Sequence, residues 1–187
     1  RKETSGKFAQ DMRQMREGIR EVTEKQAELN KQLDGKPAEG QRKSLAAENK
    51  DEGLSQELKQ QNEKLGELLQ HAEQVSRQTE FAEPLLHRRL YDAIRNQTQA
   101  EATNIGRTSE ELQRRRVMTT GIYRMLQEAG EENKPKSLDI AAELTRIGFK
   151  ESAKPIGERN HENFEKLQRQ IEQAAESVLG NEGDALR

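Results

Sequence analysis

Apolar side chains recur alternately every four and every three residues along the first part of the chain. The first run extends from Phe8 to Leu33 and has a glutamine, Gln26, at one of its repeat positions. The second run begins at Leu54 and again has one glutamine, Gln61, at a repeat position. Heptad spacing of this kind is typical of helices that pack along a narrow apolar seam, and a polar residue in a seam sets the register of the pairing.

These runs predict two helices, over about residues 5–34 and 44–82, which we expect to fold back on each other as an antiparallel hairpin. Residues 35–43 lie between them and contain the glycines and the proline that end helices, so we expect a loop there. The residues that we expect in the interaction seam are Phe8, Met12, Met15, Ile19, Val22, Leu29, Leu33, Leu54, Leu58, Leu65, Leu68 and Val75.

Helical spacing continues beyond the hairpin, but the apolar stripe is weak between residues 95 and 120. We expect one continuous helix over 85–129. A break near Gly106 is the alternative, because glycine is unfavourable inside a helix and residues 108–111 fit a capping box.

Two further helices complete the chain, one over 137–147, with Ser137 as its N-cap, and one over 153–179. The apolar stripes are only one or two residues wide, as in coiled coils. We therefore predict an all-α fold without β-sheet, an elongated, coiled-coil-like bundle of about five helices in antiparallel hairpins. We divide it into an N-terminal heptad hairpin, 1–83, and a C-terminal three-helix region, 84–187.

The amino-acid composition also favours long helices over a compact domain with a thick core. Of 187 residues, 30% are hydrophobic, 3% are aromatic and 35% are charged, whereas a compact domain usually has nearly half of its residues apolar. Sandwiches, barrels and doubly wound α/β enzymes need many β-branched and aromatic residues in short runs. Long helices with thin apolar seams remain compatible with this composition.

The charges nearly balance, with a formal net charge of −2. Proteins that bind nucleic acid or membrane surfaces usually carry a basic excess, so the overall charge argues against both modes. The chain has no cysteine, which excludes disulfides and thiolate chemistry. It also has no long apolar run that could span a bilayer, so we expect no direct membrane insertion.

The predicted helix 85–129 is the exception to this balance, because all eight of its basic residues are arginine. One interpretation is that acidic neighbouring helices pair with these side chains inside the bundle. The other is an anion-binding stripe, with Tyr123 as a stacking partner. The arginines that would form the stripe are Arg107, Arg114, Arg115, Arg116 and Arg124.

Catalytic and metal-binding patterns are weak throughout. Glu67 and His71 lie one turn apart, but a helix face rich in Glu produces such pairs by chance. Glu158 and His161 match the Glu-x-x-His spacing of di-iron bundles, which need two copies and two further glutamates. We therefore predict no catalytic residues, no metal site, no cofactor and no small-molecule substrate, and the chain is not expected to be an enzyme.

Two stretches carry a resemblance, Ala82 to Arg95 and Gly148-Phe149 followed by Gln173 to Arg187. They resemble the C-terminal helical region of large coiled-coil-rich proteins of unknown function in planctomycete-type bacteria. The resemblance covers roughly residues 82–187, and Ala-Ala-Glu-Ser-Val-Leu-Gly is its most specific part. Residues 96–136 depart from the pattern, because they are longer and more polar.

That family implies a bacterial parent protein that is anchored in a membrane through its N-terminal portion, and it carries no activity over to this chain. We accordingly expect the sequence to be a piece of a longer protein. The predicted function is a structural or interaction module, a scaffold or spacer segment. The expected partners are proteins, either a second copy or other helical segments of the parent. Polyanion or nucleic-acid binding through helix 85–129 is the alternative.

Overall fold

The computed structural model describes residues 2–35, 45–131 and 136–185, and these residues form helices and turns without any strand. The all-α prediction is therefore confirmed. The described part contains six helices rather than about five. They are α1 (Lys2–Leu33), α2 (Leu45–Thr79), α3 (Pro84–Arg115), α4 (Thr120–Glu128), α5 (Ser137–Arg146) and α6 (Lys150–Ala185).

The chain forms two compact units, and four of the helices contribute a segment to each. Unit 1 consists of Arg1–Thr23, Lys64–Gln99 and Asn163–Arg187, and unit 2 consists of Glu24–Glu63 and Ala100–Glu162. Each unit therefore takes segments from both sides of the division at residue 83 that the sequence suggested.

Unit 1 is built from one segment each of α1, α2, α3 and α6, whose heptad residues face inward. Met12, Met15 and Leu90 are among its fully buried side chains. A Cβ on Gly18 would lie 3.2 Å from Leu68 Cδ1, so α1 and α2 approach closely at that point. His71 lies further along α2 and reaches back to Asp11, which means that α1 and α2 run antiparallel within this unit.

Unit 2 has a different core, because α5 is buried on nearly every side. Leu138, Ile140, Ala141, Ala142 and Leu144 of this short helix are all at most 1% exposed. Its charged residues, Asp139, Glu143 and Arg146, share one side, and the remaining residues of the helix are buried. The narrow stripes predicted from sequence therefore describe the long helices but not α5.

The predicted continuous helix 85–129 is wrong, and the chain breaks at residues 116–119 rather than near Gly106. Arg116 adopts a left-handed conformation with φ of 56°. Val117 N–H donates to Leu112 O at 3.1 Å and Arg116 N–H to Gln113 O at 3.3 Å, which is the Schellman pattern of a helix end. Thr119 then caps α4 by accepting from Ile122 N–H at 3.1 Å.

The last helix begins earlier and ends later than predicted. α5 ends in a second Schellman turn, with Gly148 at φ 94° and Phe149 N–H donating to Leu144 O at 2.7 Å. The helix that follows starts at Lys150, includes Pro155 in its interior and runs past Gly180 to Ala185. Apart from Gly35, the predicted loop over 35–43 lies outside the described residues. No helix in the described ranges is long and apolar enough to cross a bilayer.

Candidate functional site

Every residue predicted for the interaction seam is buried, with at most 8% of its surface exposed. Phe8 to Val22 and Leu65 to Val75 lie in unit 1, and Leu29 to Leu58 lie in unit 2. The seam is therefore covered by other helix segments of the same chain.

The polar seam positions in unit 2 form a hydrogen-bonded chain. Gln61 Nε2 donates to Gln26 Oε1 at 3.2 Å, and Gln26 Nε2 donates to Asn30 Oδ1 at 2.9 Å. Asn30 Nδ2 in turn donates to the backbone oxygen of Gly157 on α6 at 3.0 Å. Both predicted seam glutamines thus contact each other, and they link three helices at one level of the unit.

A second polar cluster surrounds the start of α5. Glu101 on α3 accepts from Ser137 N–H at 2.6 Å through Oε1 and from the Ser137 hydroxyl at 2.9 Å through Oε2. Asn160 Nδ2 on α6 donates to Ser137 Oγ at 2.9 Å. Lys136, not Ser137, occupies the N-cap position. The predicted cap is wrong in this respect, because Glu101 supplies the acceptor for the helix start from another helix.

Arg159 ties the same cluster to the end of α3. Its guanidinium donates to Asn104 Oδ1 at 2.7 Å, to Glu111 Oε1 at 2.6 Å and to Thr108 Oγ1 at 3.2 Å. The contact with Glu111 is bidentate, which is the strong geometry for this pair. We call Glu101, Asn104, Ser137, Arg159 and Asn160 the polar core of unit 2.

The centre of the polar core is enclosed, whereas Arg159 at its edge is partly exposed. Ser137 and Asn160 are 0% exposed. Burial raises the pKa of the Glu101 carboxyl, while the two hydrogen bonds from Ser137 oppose that shift. Because no surface of Ser137 is exposed, its hydroxyl cannot meet a substrate, and the cluster positions α5 between α3 and α6.

Sequence reasoning missed the polar core, although a signal was present. Gln97, Glu101, Asn104 and Thr108 follow one another at spacings of four, three and four, and they continue the phase of the apolar stripe. The stripe looked weak between residues 95 and 120 because its inward positions are polar there. A heptad search that accepted polar residues would have found this face of α3.

Unit 2 also contains a cavity of about 1160 Å³. Leu54, Val117 and Phe149 supply apolar wall, and Lys150 Nζ pairs with Asp51 Oδ1 at 3.1 Å. Lys50, Arg115 and Lys150 are matched in number by the carboxylates of Asp51, Glu57 and Glu151. This balance favours neither an anionic nor a cationic ligand.

The five arginines predicted for an anion stripe are all exposed, and none of them forms an ion pair with another described residue. Arg107 and Arg114 lie seven residues apart on one side of α3, whereas Arg115 lies farther round the helix and lines the cavity. Arg116 is in the turn, and Arg124 is on α4. They therefore lie along the second half of α3, in the turn after it and on α4, rather than in one straight stripe.

Two histidines have other contacts, namely His71, from the Glu67–His71 pair considered for metal binding, and His87, which belongs to neither of the considered pairs. His71 Nε2 lies 3.0 Å from Asp11 Oδ1, and His87 Nδ1 lies 2.6 Å from the backbone oxygen of Ser76. Within the described ranges, no group of three or more His, Asp or Glu side chains is arranged to hold a metal ion.

Comparisons with known proteins add no family to this description. No protein-family model matches the sequence, and neither a curated protein nor a solved structure is significantly similar to it.

Proposed function

We propose that this chain is a non-enzymatic structural and interaction module, a helical scaffold or spacer segment whose partners are proteins. The observation that carries the proposal is the burial of every seam residue by other segments of the same chain. Heptad surfaces that are used internally hold the helices in place, and the outer faces of those helices remain for contact with other proteins.

The buried hydrogen-bonded side chains of unit 2 support a structural role. Buried polar groups specify a single packing arrangement when their partners are fixed, because any other register leaves them without hydrogen bonds. The series of hydrogen bonds that runs from Gln61 through Gln26 and Asn30 to Gly157 joins three helices of unit 2 in this way. The cluster around Ser137 also joins three helices of that unit. A module that must keep its shape under load benefits from such a restriction.

The test compares helicity and thermal stability across protein concentrations. If the seams are internal, far-UV circular dichroism and Tm stay constant over about a 100-fold dilution from about 10 µM, because unfolding then involves no loss of seam contacts between chains. A helicity that falls on dilution would overturn the proposal, since the seams would then belong to an intermolecular coiled coil.

A matched pair of variants sharpens the test. Leu58 is 0% exposed in the seam, whereas Leu85 is 53% exposed on α3. Leu58→Ala should destabilise the fold by about 2–5 kcal/mol. Leu85→Ala should change the stability of the isolated chain by less than about 0.5 kcal/mol. Equal effects would contradict the assignment of the seam to the interior.

A second candidate function, polyanion binding, is favoured by the unpaired arginines near the end of α3. Exposed arginines with no carboxylate partner keep their full charge for phosphate or sulfate groups. The supporting observation is that the salt-link arrangement does not occur for Arg107, Arg114, Arg115, Arg116 or Arg124 among the described residues.

Heparin chromatography and titration with a single-stranded oligonucleotide test this candidate. The triple variant Arg114→Gln, Arg115→Gln, Arg116→Gln should weaken binding and flatten its salt dependence. The control removes the same charge elsewhere, with Gln replacing the exposed residues Lys31, Lys64 and Arg169. Elution of the unmodified chain at low salt would refute polyanion binding, and equal losses in the two triple variants would refute the specific cluster.

A further inference from the structure

Large apolar side chains are exposed at the start of α3, in unit 1. Phe81, in the turn before the helix, is 90% exposed, Leu85 is 53% exposed and Tyr91 is 56% exposed. Single exposed apolar residues are ordinary, but a group of them beside cations has the composition of a contact surface, in which tyrosine and arginine are enriched.

Leu85 and Tyr91 share one side of α3 with three charged residues. At 100° per residue, Leu85, Arg88, Tyr91, Asp92 and Arg95 fall within an arc of about 120°. All five are exposed, whereas Leu86, Leu90 and Ala93 on the opposite side are buried. We call these five residues the outer face of α3. The Tyr91 ring lies 6.3 Å from the His87 ring, centroid to centroid, so its position is supported from the inner side.

The charges of the outer face are self-complementary. Arg88 and Asp92 are opposite in charge and one turn apart, yet among the described residues neither of them forms an ion pair. If two such helices pack antiparallel about a two-fold axis opposite residue 90, residue 88 of each copy faces residue 92 of the other. Both charges then find a partner, and the Arg88–Asp92 pair is formed twice by symmetry.

We propose that the outer face of α3 binds a second copy of this chain, with the two α3 segments antiparallel across that axis. Arg88 of each copy pairs with the partner's Asp92, and the two Tyr91 rings meet near the axis. Leu85 packs against the aliphatic stem of the partner's Arg95. This inference rests on the proposed function, because it names the protein partner of the module as the chain itself.

The contact is small, so the association is weak. Five outer-face side chains and Phe81 cover less than the roughly 800 Å² per partner of a standard stable interface. We expect a dissociation constant on the order of 100 µM, which becomes significant when the chain is concentrated by tethering to a larger assembly.

Sedimentation equilibrium of the full chain, between about 10 µM and about 1 mM, tests the proposal. The unmodified chain should show a monomer–dimer equilibrium. Arg88→Asp alone and Asp92→Arg alone should each weaken dimerisation at least about tenfold, because like charges then face each other twice. The double variant should restore the affinity to within about threefold, since the pairs are re-formed with exchanged signs.

Arg169→Asp, on the exposed side of α6, is the control for a change in net charge and should leave dimerisation unaltered. Circular dichroism of each variant checks that the fold is kept. A chain that stays monomeric at the highest concentration overturns the dimer, as does a double variant that fails to recover. Neither result touches the proposed function, whose own failure would appear as helicity lost on dilution.

Discussion

Adding a single methyl group at Gly157 should disturb the contact between two helices of unit 2. It is buried on α6 at the contact with α1, and a Cβ at this position would lie 3.2 Å from Leu33 Cδ1 and closer still to Asn30 Oδ1. Asn30 cannot swing away without loss, because its side chain accepts from Gln26 Nε2 and donates to the Gly157 oxygen. Gly157→Ala must therefore break these bonds or push the helices apart.

The expected magnitude follows from those contacts. Two hydrogen bonds contribute about 1 kcal/mol each, and overpacking in a close contact costs about 1–3 kcal/mol. Replacing glycine with alanine inside a helix gains about 1 kcal/mol. If both costs apply, the net expectation for Gly157→Ala is a loss of about 2–4 kcal/mol in the free energy of unfolding.

Gly106→Ala is the matched control, because Gly106 lies inside α3 with nothing within 4 Å of its added Cβ. It should gain about 1 kcal/mol from helix propensity alone. Urea titration followed by far-UV circular dichroism measures both variants. Two substitutions of the same kind should thus move stability in opposite directions. If Gly157→Ala is neutral or stabilising, the close contact between α1 and α6 is not a feature of the folded chain.

Three further predictions concern the polar core and the end of α3. Ser137→Ala should lower the free energy of unfolding by about 2–4 kcal/mol in the same urea assay, because the Glu101 carboxylate and Asn160 lose a buried partner. The control Ser177→Ala should change it by less than about 0.5 kcal/mol. Burial raises the pKa of Glu101 above its ordinary 4.5, so the folded state holds the proton to higher pH than the unfolded chain. The unfolding free energy should therefore fall as pH rises from 4.5 through the raised pKa. Glu101→Gln should remove that decline. If plots of unfolding free energy against pH are parallel for the two proteins, Glu101 is not its cause. Arg116→Gly should raise Tm, with a gain of about 1 kcal/mol, because Arg116 holds a left-handed φ of 56° that glycine adopts without strain; a lower Tm would mean that the guanidinium stabilises the turn.

Hydrophobic periodicity was sufficient for α1 and α2 and their inward residues. The alternation of four and three residues from Phe8 to Leu33 places one stripe on one side of α1, and burial of apolar surface decides that this side faces inward. The same pattern includes Gln26 and Gln61, and they face each other at 3.2 Å in the folded chain. Local spacing predicts these features because a helix repeats its geometry at every turn.

The end of α3 could not be predicted in this way. Gly106 has a weak preference against helix, but its neighbours continue the ladder, and a single glycine costs too little to stop it. Arg116 has no intrinsic preference for the left-handed region, and it adopts that conformation because Val117 and Thr119 together close one helix and begin the next. The outcome depends on several residues acting jointly, which a residue-by-residue reading does not capture.

The polar core of unit 2 makes sense as a device that sets register. Apolar heptads tolerate a slide of one repeat, because leucine packs nearly as well against the next leucine, and α5 offers mainly small and aliphatic side chains to its neighbours. Glu101, Ser137 and Asn160 remove this freedom, because their hydrogen bonds join α3, α5 and α6 at fixed positions. The Ser137 N–H and hydroxyl donate to Glu101, and Asn160 Nδ2 donates to Ser137 Oγ and to the backbone oxygen of Ile156. The arrangement has a cost, because Asn160 Oδ1 is buried without a hydrogen-bond partner among the described residues. A cluster that sacrifices stability while fixing one position of α5 is better explained by a requirement for a defined shape than by a requirement for maximal stability.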